Sequence, residues 1–487
     1  MATLLDALDA AVNHHMAGRT DAAERHYRLI LGADPAQPDA LHLFGVLRAQ
    51  TGAPALAVVA ITRSLRARPA AAQPWAHLGA ALRAAERLED AETALRRALA
   101  LDPASADALD ALGATLHGLA RYPQARGWLL RADALRPGHA ETLLNLGTVL
   151  RDQRHFAEAE LCFDRVLTAQ PTHAGAQLAR AVGRLVRGDL RVGWEGFEHR
   201  WRRFSTPPWA GEPLNGATIL LHMEQGFGDA MQFVRYAPLV AQAGGRVVIE
   251  ASPALFRLFQ ASFDPSIQVL VRGPEPPPHD RHCPLMSLPR AFATDLSSIP
   301  AAIPYLAPER GDRNRWRDQL ATGPEGLRVG LVWAGNPRHR NDRNRSLPVT
   351  ALRPLLGIPG VRFFNLQAGE ARGELSALAP GSFEDPMERV RDFADTGAIL
   401  ANLDMLISVD TAIVHLAGAM GVPAWLLLPY APDWRWLLDR ADSPWYPSLR
   451  LFRQPRPGDW ATMIGTVTAV LKALARQTTP RQTANPA

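Results

Sequence analysis

The sequence predicts an all-helical repeat array followed by two α/β halves. Three observations carry this expectation. Prolines stand at 35, 69, 103, 137 and 171, a step of 34 residues, and Gly45, Gly79, Gly113 and Gly147 keep the same step. After "STPPWAGEPLNG" (205–216) the helical pattern stops, and short apolar runs begin to alternate with helices. Two of those runs, "ATILLH" and "LISVD", lead through a short loop into a helix that opens beside an acid.

The repeats come first in the chain. Alanine at 23, 57, 91, 125 and 159 adds a third residue type in the same register. Small residues at two fixed places let the two helices of a hairpin cross closely. Leu78, Leu82, Leu95 and Ala98 recur at helical spacing, and the proline stops the second helix. The period and the pattern "WAHLGAAL…AETALRRALALDP" (75–103) resemble the tetratricopeptide repeat. Five repeats are expected over 4–173. A degenerate sixth hairpin is expected to cap them and complete a repeat domain over 1–204. The resemblance implies a protein or peptide partner on the concave face.

The α/β part divides at "RGDRNRWRDQLATGPEG" (310–326), read as a linker. "ATILLH", "GRVVIE" and "IQVLV" are expected as parallel strands of a first Rossmann-like half, 205–309, with one more short strand near "PPPHDRHCPLMSLP". "LRVGLVWAG", "VRFFNLQAG", "LDMLISVD" and "VPAWLLLP" are expected as strands of a second half, 310–475. Residues 476–487 read as a disordered tail. Two such halves imply a cleft, with ligands at the C-terminal ends of the strands.

Composition narrows the function classes. Lys plus Arg exceed Asp plus Glu by 53 to 48, a formal +5. That mild excess, without a wide basic face and aromatic platforms, gives no nucleic-acid partner. The two cysteines, Cys162 and Cys283, build no disulfide framework. The N-terminus lacks the basic and apolar regions of a signal peptide. The longest apolar runs are too short to span a bilayer. A cytoplasmic protein without a transmembrane segment is expected. The positive charge is local: "PRHRNDRNRS" gathers Arg338, Arg340, Arg343 and Arg345 around Asp342, and "EHRWRRF" (198–204) is a second knot.

The chemistry concentrates in "HMEQGFGDAMQFVRY" (222–236). Gly226 and Gly228 suggest a dinucleotide fingerprint, with Glu250 placed to bind a ribose. Met231 stands where the third glycine belongs, however, and Asp229 would repel a pyrophosphate at the helix start. An acid there can be an ordinary cap. It can also be a general base facing the cleft, with Gln232 and Arg235 on roughly the same face. In the second half, "LISVDTAIVHLAGAMGVPAWLLLP" (406–429) offers the N–H groups of Thr411 and Ala412 as an anion site suited to a diphosphate. His415 follows Thr411 by one turn. Asp410 reads as the helix N-cap and as an acceptor for hydroxyls. The arginine-rich loop beside this site points to anion recognition.

Taken in order, "GFGDAMQFVRYAPLV", "VGLVWAGNPRHRNDRNRSLP", "FNLQAG" and "ISVDTAIVHLAGAMGVP" resemble the heptosyltransferase-type glycosyltransferases (family nine), over about 217–475. The resemblance implies a GT-B fold of two Rossmann-like domains in a bacterial protein. It makes Asp229 the catalytic base on the acceptor side, with Gly226, Gly228, Gln232 and Arg235. Arg345, three before Pro348, would contact the donor phosphates, where many relatives have lysine. Asp410, Thr411 and His415 would bind the nucleotide-sugar, with Ser346, Gln367 and Ala412 in the same donor motifs. The implied donor is a nucleotide-diphosphate sugar of the ADP-heptose kind. The implied reaction is an inverting, metal-independent displacement by a hydroxyl, without a cofactor. The chain has no D-x-D, and two distant cysteines do not fit the cysteine-bound-metal variant. Fusion to the repeats is similar to that of the O-linked N-acetylglucosamine transferases, which modify proteins. The competing readings are a repeat scaffold carrying an inactive transferase domain and a dinucleotide-dependent oxidoreductase.

Overall fold

The computed structural model describes residues 4–200, 203–321, 323–339 and 341–478. Trp201, Arg202 and Arg340 of the two basic stretches, and residues 479–487 of the expected tail, lie outside the described residues. The chain forms two compact units, Met1–Ala179 and Arg180–Ala487.

The first unit is a run of helical hairpins: Leu4–Met16 with Thr20–Ala33, Pro38–Gln50 with Pro54–Ala67, Ala72–Ala84 with Leu88–Leu101, Ala106–Gly118 with Tyr122–Leu135, and Ala140–Asp152 with Phe156–Ala169. The repeating glycines mark the seam of each hairpin. A Cβ built on Gly45 would lie 2.5 Å from Ile61, and one on Gly147 2.5 Å from Phe163. Gly79 and Gly113 meet Leu95 and Leu129 closer still. Any side chain there would force the helices apart. Ala57, Ala91 and Ala125 are fully buried beside the same crossings. Each second helix ends two residues before its proline. The intervening Asp34, Arg68, Asp102, Arg136 and Gln170 all leave helical geometry, as a residue preceding proline must.

The unit boundary falls inside the helix Ala174–Val186, earlier than the expected 204/205 division. The second helix of the sixth hairpin, Leu190–Phe197, belongs to the α/β unit. Trp194 explains why. It is buried, its indole N–H donates to the Thr294 carbonyl at 3.0 Å, and its ring meets Phe233, Trp434 and Trp445 edge-on.

Two wholly parallel sheets build the α/β unit. The first joins β1 (Thr218–His222), β2 (Arg246–Ala251), β3 (Gln268–Val271) and β4 (Arg281–Pro284) in the order β3-β2-β1-β4. The second joins β5 (Leu327–Val332), β6 (Val361–Asn365), β7 (Met405–Val409), β8 (Ala424–Leu428) and β9 (Leu449–Arg453) in the order β6-β5-β7-β8-β9. Each order reverses once, between β1 and β4 and between β5 and β7. Such reversals open a crevice at the strands' C-terminal ends.

Three details depart from the sequence reading. The linker stretch 310–320 is a helix, Arg310–Leu320, with Trp316 buried. The first β-α helix is broken: Phe227–Phe233 passes through a tight turn, Val234–Tyr236, into Ala237–Gln242, where Pro238 cannot donate the next helical bond. The closing helix runs Trp460–Thr478, so residues 476–478, expected in the tail, are helical. Among the described residues no helix is long and apolar enough to cross a membrane.

Candidate active site

The two switch points present the expected site residues. β1 ends at His222, and four residues later the chain enters the helix Phe227–Phe233. β7 ends at Val409, and Asp410 and Thr411 lead into Ala412–Met420. These two helices pack against each other. Gly228 makes the contact possible: a Cβ there would sit 2.7 Å from the His415 ring. Close approach is thus the role of one of the two loop glycines, and what approaches is the other half of the unit. Gly226 is less constrained; its Cβ would meet only Asp229 Oδ2, at 3.4 Å.

Asp229 has both oxygens engaged. Oδ2 accepts from the Gly226 N–H at 2.8 Å, which is the capping half of its role. Oδ1 is ion-paired with Arg435 of the second half. The Arg435 guanidinium also donates from Nε to Gln232 Oε1 at 2.7 Å and from its first terminal nitrogen to Asp433 at 2.8 Å. Asp229 and Gln232 therefore share a face, as their spacing predicts. Arg235 does not join them, because the helix ends at Phe233. Its guanidinium, nearly fully buried, donates to the carbonyls of Gln232, Pro300 and Trp445 and to the Tyr305 hydroxyl, at 2.8–3.1 Å. It is a strut between the halves and leaves the acceptor-side set.

On the second half, the loops after β5 and β7 meet across the switch point. Arg345 donates to the Asp410 carbonyl at 3.0 Å and from Nε to Asp342 at 3.1 Å. That brings one of the four loop arginines to the mouth of the helix Ala412–Met420, while Arg338 and Arg343 are exposed. Ser346 accepts from the Gly335 N–H at 2.9 Å and donates to Asp342 at 3.0 Å. Gln367 Oε1 takes the N–H groups of Trp333 and Ala334 at 3.1 and 2.9 Å, and its amide donates to the Ala368 carbonyl. Ser346 and Gln367 thus brace the loop walls.

The N-cap of Ala412–Met420 is Thr411, so Asp410 stands one residue outside the capping position it was expected to fill. Burial, and then the nearby Asp433, pushes the Asp410 carboxyl up to about 6. His415 is buried, its Nδ1 shares a hydrogen bond of 2.9 Å with the Tyr446 hydroxyl, and its Nε2 lies 4.0 Å from Asp410 Oδ1. Burial, followed by the charges of Arg435 and Arg235, holds the ring well below the usual histidine range, so it is neutral. Tyr446 reaches His415 because Gly418 leaves room; a Cβ at 418 would meet its ring at 2.5 Å.

Sequence reasoning missed Arg435. It sits in "PYAPDWRWLLDR", which offers no glycine loop or helix mouth, only tryptophans around one arginine. The second basic knot has a structural use. Arg200 is buried and pairs with Glu224 at 2.6 Å, Glu198 at 2.8 Å and Ser287 at 2.7 Å, beside the first switch point.

Two tetratricopeptide-repeat family models match residues 72–105 and 139–170. The N-terminal unit is a tetratricopeptide-repeat array. Protein FlbA of Caulobacter vibrioides is 28% identical over 332 residues, covering 61% of this chain and 55% of that protein. The chain thus spans about half the length of that relative. The repeat unit ends at residue 179, so a match of that extent reaches into the α/β unit. Among solved structures, MamA aligns at 23% identity over 35% of this chain and 93% of its own, with a TM-score of 0.31. The repeat protein TTC0263 of Thermus thermophilus aligns at 21% identity over 38% of this chain and 100% of its own, with a TM-score of 0.34.

Proposed function

We propose that the α/β unit is a glycosyltransferase of the GT-B kind, which moves a sugar from a nucleotide-diphosphate donor to a hydroxyl on a protein brought by the repeats. The observation that carries the reading is the meeting of two parallel-sheet switch points. One presents a carboxylate, Asp229; the other presents a helix mouth at Thr411 and Ala412 with Arg345 beside it. The first is suited to take a proton and the second to hold a diphosphate. In the reaction, Asp229 accepts the acceptor's hydroxyl proton as that oxygen bonds to the anomeric carbon. The bond from that carbon to the diphosphate oxygen breaks, and its electron pair leaves with the diphosphate. Arg345 and the helix-mouth amides stabilise that charge. One displacement inverts the anomeric centre, and no step calls on a metal or cofactor.

Nucleoside diphosphates test this directly. At a hundredfold excess over its dissociation constant, the matching one should stabilise the protein by about 2.7 kcal/mol, read as a rise in Tm. Arg345→Ala should weaken that nucleotide by about 1.5–3 kcal/mol, the scale of a charge-assisted hydrogen bond, measured by calorimetry. If ADP, GDP, UDP and CDP all leave Tm unchanged, the reading is wrong. A scaffold carrying an inactive domain is favoured by one observation: both oxygens of Asp229 are already bonded within the protein.

A further inference from the structure

That bonded state has a physical explanation within the transferase reading, on which this inference rests. Around the site two guanidiniums are shared among three carboxylates and one backbone carbonyl. Arg345 is held by Asp342 and by the backbone of Asp410; Arg435 is held by Asp229 and Asp433. His415 adds no charge. A diphosphate entering this cluster must draw positive charge away from an acid, because the acids otherwise repel it. Asp342 closes a local turn with Arg345 and Ser346, and Asp433 caps its own segment by accepting from the Arg435 N–H at 3.0 Å. Asp229 lies on the other half, and its bond to Arg435 is the charged link to this cluster that crosses the seam.

The backbone that carries Arg435 is fixed. Trp434, Trp436 and Trp445 are buried, and the guanidinium stacks on Trp434 at 4.3 Å. The adjoining Trp436 ring lies 5.2 Å from the His415 ring, which places this segment beside the helix Ala412–Met420. Arg435 is buried, so any exchange of its partners takes place where water screens little and each charged bond counts.

We propose that Arg435 is a donor-sensing latch on Asp229. Without a donor, its guanidinium occupies the carboxylate oxygen that would receive the proton. The donor's diphosphate competes for the same guanidinium, and when it wins, Asp229 is free to act as a base with the sugar already in place. Arg435 is thus a diphosphate ligand and a positioning residue for the base.

The test is calorimetry of full-length protein with the nucleoside diphosphate that stabilises the wild type, on four proteins: wild type, Asp229→Asn, Arg435→Gln and the double variant. Competition predicts that Asp229→Asn tightens binding several-fold, because the competitor for Arg435 is gone. Arg435→Gln should weaken binding about tenfold, the lower end for a charge-assisted bond. In the Arg435→Gln background, Asp229→Asn should change nothing. Unchanged or weaker affinity in Asp229→Asn overturns the latch. So does tightening that persists in the double variant, since simple removal of a negative charge would then explain it. If Arg435→Gln does not fold, Arg435→Lys replaces it in the same cycle, and a smaller effect of Asp229→Asn in that background is required. Should the wild type bind no nucleoside diphosphate at all, the transferase reading falls and the latch with it. Normal wild-type binding without the coupling removes the latch alone.

Discussion

Asp410 has a charge state displaced by its surroundings. Its carboxyl is buried near Asp433 and is held above the usual range, at about 6. A carboxyl raised on folding favours the folded state while it is protonated. That contribution is present below the unfolded value near 4 and is lost as pH rises through about 6. Asp410→Asn should therefore be close to neutral at pH 4 and stabilising by about 1–3 kcal/mol at pH 8. Thermal unfolding of both proteins across that range checks this; a difference independent of pH contradicts it. The sequence marked Asp410 by its place at a strand's end, but its environment was not legible. Asp433, the main charge acting on it, lies far along the chain in a loop with no motif. The same holds for Arg435 at Asp229. Local pattern finds residues at strand ends and helix starts, because those positions are set by the chain's own period. It does not find a partner that only the packing of two halves supplies. Arg235 shows the converse: helical spacing placed it beside Asp229, and the turn at Val234 carried it away.

At the scale of elements, the repeat hairpins were legible down to single contacts. A period of 34 residues fixed which glycines face a neighbouring helix. This gives a prediction with opposite signs at two helical glycines. Gly113→Ala drives a Cβ into Leu129 and should destabilise by about 1–2 kcal/mol, despite alanine's better helix propensity. Gly127, in the helix Tyr122–Leu135, has nothing within 4 Å of a built Cβ. Gly127→Ala should stabilise by about 0.5–1 kcal/mol. Denaturant unfolding of the two variants measures both. Among the described residues, every strand from β1 to β8 was legible, including the short one near Cys283. β9 was not, because "LRLFR" interleaves arginines with its apolar residues and follows a proline-rich loop. Leu449 and Leu451 are buried on one face and Phe452 on the other, in the second sheet's core, and Arg450 and Arg453 are more exposed.

For the molecule as a whole, the division of the chain decides what can stand alone. The sequence placed the boundary at 204/205, where helical rhythm ends. The structure places it at 179/180, because Trp194 and Arg200 are built into the α/β unit. A fragment starting at 205 would lose both and leave Glu224 buried without its cation. That costs about 3–5 kcal/mol, before the loss of Trp194 is counted. A fragment of 180–478 should unfold in one cooperative transition; one of 205–478 should be poorly folded by circular dichroism and calorimetry. Equal stability of the two would show that the sixth hairpin is dispensable. The central claim is that Asp229 is the base of a sugar transfer. Asn keeps the shape of Asp and an oxygen for the Gly226 N–H, and Arg435 keeps Asp433 as its anion, so Asp229→Asn preserves the local geometry and removes basicity. The most direct measurement is turnover of the nucleotide-sugar that matches the bound nucleoside diphosphate, in wild type and Asp229→Asn, with diphosphate affinity taken on the same preparations. A fall in turnover of about a hundredfold to ten-thousandfold, with affinity retained or improved, is the expected result. Full turnover in the asparagine variant would contradict it.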